Sequence, residues 1–376
     1  MNRSLLFYSL LLLPLIGLFA QSEPESIPPG WWKLPGKSGL IHFGGYVKAD
    51  MIHDFNPINS PSFFDVSKIP TYGAKGNNTH FQANETRLYT DYKLKHEKGD
   101  LRAYVEGDFY GTSSAFRLRH AFVEINGKWL AGQTWSNFMD PSIIPNTLDF
   151  EKPTAYAFVR HGILRYKIKT GEKSNLAFAL EEPLVSAEPP ARPGKLENAF
   201  PDFTANYRLE HKTGHVQLSG FAGVIRFRPQ GNSPEHTYNY GFNFSTLQKF
   251  GPSDAITFQV IAGQGISKYR GGIYAAPDSS DHLQAIPGLG VTLTYSHHWT
   301  NQLSSLLVGN YGYEDNLPTQ ALTDIHQVFY GALNLIWNFH ASAFAGIEYL
   351  HGGRMDKNLS EGRANRIQLS IRVNIN

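Results

Sequence analysis

Cysteine is absent from all 376 residues of the sequence. The protein therefore has no disulfide framework, no lipid-attachment cysteine and no cysteine-ligated zinc site. Long apolar runs are also absent after residue 20, because charges or glycines interrupt each one within a few residues. Together with a mean hydropathy of -0.32, this excludes a bundle of membrane-spanning helices. A β-barrel remains open, since barrel strands show lipid only at every second residue.

A strong net charge is missing too. Arg3 aside, 33 Lys and Arg residues face 32 Asp and Glu residues, a balance that argues against nucleic acid as the main partner. The sequence contains no GxSxG pattern, no HExxH pattern and no phosphate-binding loop, so we expect no catalytic residue, no metal ion and no cofactor. Aromatic residues make up 13% of the chain, which suits the girdles of a membrane barrel.

The N-terminus has the order of charge, apolar stretch and small residue that is typical of a secretory signal. Arg3 carries the charge, residues 5–20 are almost continuously apolar, and a polar, acidic stretch follows, so we predict cleavage after Ala20. A membrane anchor is the alternative, but the apolar stretch is short for a span, which needs about 18 or more residues. Residues 21–38 are expected to form a short periplasmic leader to a barrel over residues 39–376.

Apolar and polar residues alternate in segment after segment, most clearly in the last one. Five apolar residues from Ile367 to Ile375 fall on one face, and five polar residues from Arg366 to Asn374 fall on the other. A period of two places them on opposite sides of a strand. The pattern predicts sixteen strands, near 39–52, 80–95, 100–110, 115–125, 128–135, 156–169, 175–181, 202–210, 215–228, 237–248, 255–265, 286–297, 302–312, 326–338, 343–351 and 363–376.

The connections between the predicted strands alternate in length. Short ones, such as Asn126-Gly127, carry the residues of a tight hairpin turn. Long ones are rich in Gly, Pro, Asn and Asp and cover 53–79, 136–155, 182–201, 266–285, 313–325 and 352–362, with 111–114 as a short exception. Short turns on one rim and long loops on the other are typical of outer-membrane barrels. The expected fold is an all-β, transmembrane up-and-down antiparallel β-barrel of about 16 strands in the bacterial outer membrane, wide enough for an aqueous channel.

Inward side chains of such a barrel line the water-filled lumen and set its field. The pore-lining candidates are Lys48, Arg87, Arg102, Glu106, Asp108, Arg117, Arg119, Arg208 and Arg366, with Asp91, Lys93, Glu210 and Arg372 on the same side. Arginine dominates the cations, and its planar fork suits carboxylate ligands. The alternative for any single arginine is that it does not bind solutes and is simply one of the solvated, mutually paired charges of the lumen wall. Because Arg102, Arg117 and Arg119 lie on adjacent predicted strands, we expect their charges to add. The alternation slips near Ala121, which indicates either a β-bulge or an error in the assigned strand.

The third long connection, residues 136–155, is expected to fold into the lumen as the constriction. It carries apolar side chains that are not stabilised in outside water, and packing against the wall would bury them. Asp140 would then lie opposite the basic wall and create a transverse field. The candidate residues of this loop are Ser136, Met139, Asp140 and Asp149. A cap over the barrel or a contact with a neighbouring subunit is the alternative.

Several blocks, in the same order along the chain, resemble the DcaP-like family of trimeric outer-membrane porins. They are residues 43–50 (FGGYVKAD), 99–109 (GDLRAYVEGDF), 116–122 (FRLRHAF), 130–140 (LAGQTWSNFMD), 250–254 (FGPSD), 263–270 (GQGISKYR) and 364–370 (ANRIQLS). The resemblance implies a sixteen-stranded barrel, a homotrimer and uptake of small anions such as dicarboxylates. It also implies that Arg102, Arg117 and Arg119 line the narrow region and that Trp135 and Asp140 begin the constriction loop.

The sequence thus favours a passive, weakly anion-selective porin that has no enzyme activity and whose partners are small anionic solutes and outer-membrane lipid. Two other classes stay open. The first is a hydrolase embedded in a barrel, which ester turnover by the purified protein would indicate. The second is a secreted all-β protein with a carbohydrate-binding or structural role, which solubility without detergent would indicate.

Overall fold

The computed structural model describes residues 27–35, 39–73, 75–184 and 186–375, and within these ranges sixteen long strands run up and down in chain order. They are β1 (Gly39–Asp54), β2 (Arg87–Leu94), β3 (Leu101–Asp108), β4 (Arg117–Ile125), β5 (Trp129–Trp135), β6 (Arg160–Lys169), β7 (Ser174–Glu181), β8 (Asp202–His211), β9 (Gly214–Pro229), β10 (Glu235–Phe250), β11 (Asp254–Gln264), β12 (Pro287–His298), β13 (Leu303–Glu314), β14 (Ile325–His340), β15 (Ala343–Asp356) and β16 (Glu361–Ile375). Each strand pairs antiparallel with the next, and β1 pairs with β2 on one side and with β16 on the other. The sheet therefore closes into a barrel, which confirms the predicted fold class.

Shorter elements lie at the rims and in the loops. The short strands are Trp31–Lys33, Asn78–Gln82, Gly194–Glu197, Ala275–Pro277 and Leu283–Ala285, and the 3-10 helices are Val66–Lys68, Thr112–Ser114, Pro141–Ile143 and Ile266–Tyr269. Trp31 pairs with His42 of β1, so part of the predicted leader packs on the barrel. The predicted signal peptide, residues 1–20, lies outside the described residues. None of the helices in the described ranges is long and apolar enough to cross a membrane.

The two faces of the sheet have the opposite character from those of a water-soluble protein. On β16 the outward side chains of Leu369, Ile371 and Val373 are 43%, 48% and 49% exposed, whereas the inward Arg366 and Gln368 are 0% and 1% exposed. Apolar residues on the outside suit lipid, and polar residues on the inside line the bore. A secreted sandwich would bury its apolar face between two sheets, so this arrangement excludes it.

The slip in the alternation near Ala121 is a β-bulge at Arg119. Glu106 of β3 pairs with His120, while the next residue of β3 pairs with Leu118, so Arg119 is an extra residue in β4. Arg119 and His120 consequently both turn inward, where Arg119 binds Glu106 at 2.8 Å. Leu118 stays on the lipid face, where it is 45% exposed. The bulge thus lets the apolar pattern change parity without placing a charge in lipid.

The connections follow the predicted rims, with corrections to their bounds. The predicted strand 80–95 is two strands, Asn78–Gln82 and Arg87–Leu94, and the predicted loop 136–155 runs to residue 159. Asn126 and Gly127 have φ values of 56° and 62°, as the type I′ hairpin turn requires. The predicted loop 352–362 is wrong, because Met355 pairs with Glu361 and only residues 357–360 connect β15 to β16. Loop 313–325 shortens to 315–324. Gly353 lies within β15, where it pairs with Phe329 and Arg363. A Cβ there would clash with the ring of Phe329, so this glycine provides space for packing and does not mark a loop.

The outward orientation of β13 predicts the cost of a charge in lipid. Leu307 is 53% exposed near the middle of β13. We expect Leu307→Arg to lower the free energy of unfolding by about 2–4 kcal/mol, because the guanidinium loses water near the bilayer centre. Leu322 in the loop 315–324 is 63% exposed. The matched Leu322→Arg variant should therefore change the free energy of unfolding by less than about 0.5 kcal/mol. Urea unfolding in phospholipid vesicles measures both values, and equal costs would contradict the orientation.

Candidate functional site

The connection between β5 and β6, residues 136–159, enters the barrel and crosses its lumen. The Gln217 side chain of β9 donates a hydrogen bond to Met139 O at 2.9 Å. Farther along the loop, Glu348 of β15 accepts one from the amide of Leu148 at 2.9 Å. Because β9 and β15 are distant strands of the wall, one loop that contacts both must span the bore. The prediction that the third long loop folds into the lumen is confirmed, and the alternative of a cap is wrong.

Apolar burial explains why this loop leaves the outside water. Its buried apolar side chains are Phe138, Met139, Ile143 and Leu148. The first three belong to one cluster with Phe221 of the wall and Tyr269 of the connection after β11. Burying each such side chain stabilises the folded loop by roughly 1.5–3 kcal/mol relative to exposure. Met139 therefore helps to hold the constriction and is too deeply buried to face a solute.

Asp140 anchors the first half of the loop to the wall. Its Oδ1 accepts a hydrogen bond from Arg208 Nη1 at 2.9 Å, and its Oδ2 accepts one from Ser245 Oγ at 2.9 Å and lies 2.7 Å from His215 Nε2. Burial alone would raise the pKa of Asp140, but hydrogen bonds with His215 and Ser142 lower that pKa to about 2. Asp140 has no exposed surface. The prediction that it faces the basic wall across the pore is therefore wrong, and Arg208 belongs to the same anchor.

Ser136 supplies a second contact at the start of the loop. Its hydroxyl donates to Glu181 Oε2 at 2.8 Å, and the amide of Asn137 donates to Glu181 Oε1 at 2.6 Å. Glu181 also lies 2.7 Å from His161 Nε2. Ser136 thus fixes the direction in which the chain leaves β5.

Asp149 and Arg366 anchor the second half of the loop. Arg366 Nη1 donates to Asp149 at 3.1 Å, and its Nε and Nη2 donate to Asp54 at 2.7 and 3.0 Å. The amide of Phe64, in the first long loop, donates to Asp149 at 3.0 Å. Arg366 is fully buried. It therefore holds the first and third long loops to the wall and presents no charge to the bore.

A cavity of about 220 Å³ lies between the loop and the wall of β1, β2, β4, β15 and β16. Its lining includes the cations Lys48, Arg87, Arg119, Lys152 and Arg372, the carboxylate Glu85, and the rings of Tyr46, Trp135, Phe150, Phe158 and Phe344. Lys48 Nζ donates to Glu85 at 2.5 Å, so the charges of these two residues compensate each other. Lys48 Nζ also donates to Leu148 O of the loop at 2.5 Å. Within the described part of the chain, the remaining lining charges are all positive.

Arg117 and Arg119 share one network with Glu106 and Asp108. Arg119 donates to Glu106 and to Asp108, both at 2.8 Å, and Arg117 Nη2 donates to Asp108 at 2.9 Å. Arg87 Nε lies 3.5 Å from Glu106. Three cations therefore meet two carboxylates, so this part of the wall keeps a smaller positive excess than its arginine count suggests.

Arg102 does not belong to that network. It forms a two-pronged ion pair with Asp91 at 2.9 and 3.1 Å. In the antiparallel register Arg102 pairs with Glu124, whereas Arg117 pairs with Asp108, six residues farther along β3. That separation is roughly 20 Å along the strand. The expectation that Arg102 adds its charge to Arg117 and Arg119 is therefore wrong.

Among the cations that line or adjoin this cavity, Lys48, Arg87 and Arg119 have carboxylate partners. In the described part of the chain no carboxylate lies within ion-pair distance of the other three, Lys152, Arg160 and Arg372. The guanidinium of Arg160 lies 4.4 Å from the ring centre of Trp135, and that of Arg372 lies 4.6 Å from that of Tyr46. Aromatic faces stabilise a cation without cancelling its charge. Lys152 escapes prediction because parity cannot be assigned within a loop, whereas Arg160 escapes it although the predicted strand 156–169 contains that residue. The aromatic residues around Arg160 were the signal in the sequence.

The DcaP outer membrane protein family model matches residues 35–375. Among solved structures, the outer membrane channel DcaP of Acinetobacter baumannii is similar with a TM-score of 0.81 at 19% identity, covering 91% of this chain and 99% of that chain. An anion-selective porin from Comamonas acidovorans has a TM-score of 0.60 at 9% identity, covering 89% and 99%. The trimer form of OmpT from Vibrio cholerae has a TM-score of 0.59 at 12% identity, covering 90% and 100%. No curated protein is similar enough to match.

At these identities the likeness to solved structures shows the fold alone. The family match is a separate finding, and it spans all sixteen strands of the barrel together with the loop that crosses the lumen. The lipid-facing exterior and the closed sheet agree with a position in the bacterial outer membrane. The chain therefore belongs to the DcaP outer membrane protein family and is an outer-membrane channel.

Proposed function

We propose that this channel lets small hydrophilic anions diffuse passively, with dicarboxylate-like solutes as the preferred class. The observation that carries the proposal is the cavity beside the constriction loop, where Lys152 and Arg372 have no carboxylate partner. Arg160 lies against Trp135, one of the aromatic residues that line this cavity. A positive excess at a narrow point raises the local concentration of anions and lowers that of cations.

The aromatic supports explain why two carboxylates suit this site better than one. The rings hold the arginines in place without using their N–H donors, and both arginine side chains are partly exposed. Arg160 Nη1 and Arg372 Nε have no hydrogen-bond partner among the described residues. A carboxylate can accept two parallel hydrogen bonds from one guanidinium. A solute with two carboxylates would exchange water for such bonds at more than one cation as it passes.

Passive diffusion needs neither a cofactor nor an energy source, and we infer that the barrel has no catalytic role. Because the family and the fold are those of a channel, the pathway through the lumen accounts for the architecture without a reaction. Hydrolysis of a phospholipid or an ester by the purified protein would contradict this inference.

We also propose that three copies assemble into a homotrimer in outer-membrane lipid. The resemblance to a trimeric family and the trimer form of the Vibrio cholerae protein support this. Native mass spectrometry of the detergent-purified protein should give three times the mass of one processed chain, because an apolar wall serves a neighbour as well as lipid. A mass of one chain at every protein concentration would refute the trimer.

Ion selectivity tests the role of the unpaired arginines. Under a tenfold KCl gradient across a planar bilayer, the unmodified channel should show a reversal potential of anion sign. Arg372→Gln should lower the anion-to-cation permeability ratio at least about fivefold, since one charge at ~4 Å in water changes the energy of a passing ion by roughly 1 kcal/mol. Arg102→Gln is the control, because Arg102 lies roughly 20 Å along the strand from Arg117. That distance exceeds the screening length of about 10 Å in 0.1 M salt, so the ratio should hardly change. A reversal potential of cation sign for the unmodified channel, or equal shifts in both variants, contradicts the proposal.

Solute preference is tested with two molecules of similar size. Liposomes that contain the protein should take up succinate at least about fivefold faster than succinamide, the neutral diamide, for the same electrostatic reason. The combined Arg160→Gln and Arg372→Gln variant should reduce this ratio toward one while succinamide uptake stays constant. Equal uptake of both solutes by the unmodified channel would show that the pore selects by size alone.

A further inference from the structure

The outer wall carries a cluster of charges near the long-loop rim, away from the bore. We call it the rim patch and define it as Lys195, Glu197, Arg226 and Arg228. Glu197 lies 2.9 Å from Arg226 Nε, 2.7 Å from Arg228 Nε and 3.6 Å from Lys195 Nζ. Three cations thus surround one carboxylate, and two positive charges remain uncompensated within the patch.

The register shows that these side chains point outward. On β9, Ile225 and Phe227 are each 1% exposed and face the interior, so the residues that alternate with them face outside. The short strand Gly194–Glu197 pairs with the end of β9, placing Lys195 beside Arg228 and Glu197 beside Arg226. The side chain of Lys195 is 72% exposed and that of Arg228 is 42% exposed. The patch is therefore accessible from the membrane side of the wall.

The height of the patch matches the polar headgroups of the outer leaflet. On β10, next to β9, the outward rings of Tyr238, Tyr240 and Phe242 are 69%, 46% and 64% exposed. Such aromatic residues mark the boundary between hydrocarbon and headgroups. Arg226 pairs with His236, which is one outward step above Tyr238. The cations consequently begin where the aromatic band ends.

An apolar groove adjoins the patch. Its volume is about 370 Å³. Its lining is mostly apolar, with Leu180, Pro183, Ala199, Phe200 and Pro201, and also includes the polar residues Glu181, Glu182 and Asn198. The ring of Phe200 lies 6.4 Å from that of His236, so the groove and the charged cluster meet at this ring pair. A ligand that fits both must have an anionic head and an apolar chain.

We propose that the rim patch and this groove bind the phosphorylated glycolipid of the outer leaflet. Phosphate groups would accept hydrogen bonds from Arg226, Arg228 and Lys195, and an acyl chain would lie along the groove. Arginine pairs with phosphate through two parallel hydrogen bonds. Arg226 and Arg228 share the single carboxylate of Glu197, so their guanidiniums can also bind phosphate. A soluble anion has no reason to use the groove, and a zwitterionic phospholipid brings less negative charge to the cations.

The test uses native mass spectrometry of the purified channel in a neutral detergent, titrated with diphosphoryl lipid A. Combined replacement Lys195→Gln, Arg226→Gln and Arg228→Gln should weaken binding by about tenfold or more, because charge-assisted hydrogen bonds are lost. Arg363→Gln is the matched control: its side chain is 65% exposed and pairs with Glu361 on β16, so binding should stay unchanged. Equal binding by the triple variant and the unmodified channel, or an equal loss in the control, overturns the proposal.

A second arm separates phosphate recognition from capture of any apolar chain. Lipid A from which both phosphates have been removed should bind the unmodified channel no more tightly than diphosphoryl lipid A binds the triple variant. If the dephosphorylated lipid binds as tightly as the phosphorylated one, the rim patch is not a phosphate site. An unchanged KCl conductance shows that the triple variant is folded. Should it fail to fold, Arg228→Gln alone should still weaken binding at least about threefold, and no change would refute the site.

Discussion

A strand in hydrocarbon has no water to satisfy its backbone, so the N–H and C=O groups of the wall must pair within the sheet. The pairing of β1 with β16, from Gly45 with Ile375 to Asp54 with Arg366, meets that constraint. Once the cylinder closes, the period of two gives one face of each strand to lipid and the other to the bore. The apolar exterior and the charged interior both follow from this closure.

Inside the barrel, the cost of burying charge separates structural from functional cations. A guanidinium removed from water needs partners, and Arg366 has them in Asp54 and Asp149, so it serves as an anchor. Arg160 and Arg372 have aromatic faces instead of carboxylates. Rings offset the loss of water and leave the charge in place. The anchors are therefore close to neutral, while the cavity beside the loop stays positive.

The cost of removing a charge from water also determines where charged residues lie on the outer surface of the barrel. Where the wall faces hydrocarbon its side chains are apolar, and cations begin only above Tyr238, where headgroups replace acyl chains. The short strand Gly194–Glu197 extends the sheet above β8 and brings Lys195 beside Arg228. The connection 182–201, which the sequence predicts to be a loop, thus forms part of the outer surface of the barrel at its rim.

The sequence by itself determined the number of strands, the alternation of lipid-facing and lumen-facing residues along most of them, the slip in that alternation near Ala121 and the entry of an apolar loop into the lumen. These are local properties, since alternation and apolar content can be read within one segment. Only the tertiary structure decided which charges meet. Adjacent predicted strands group Arg102 with Arg117, although the antiparallel pairing places Arg117 of β4 beside Asp108, at the far end of β3 from Arg102. The sequence predicts that Asp140 faces the pore, whereas the path of its loop turns it into the wall. Register between strands and the route of a loop depend on contacts between residues far apart in the chain, and no periodicity within a segment contains them.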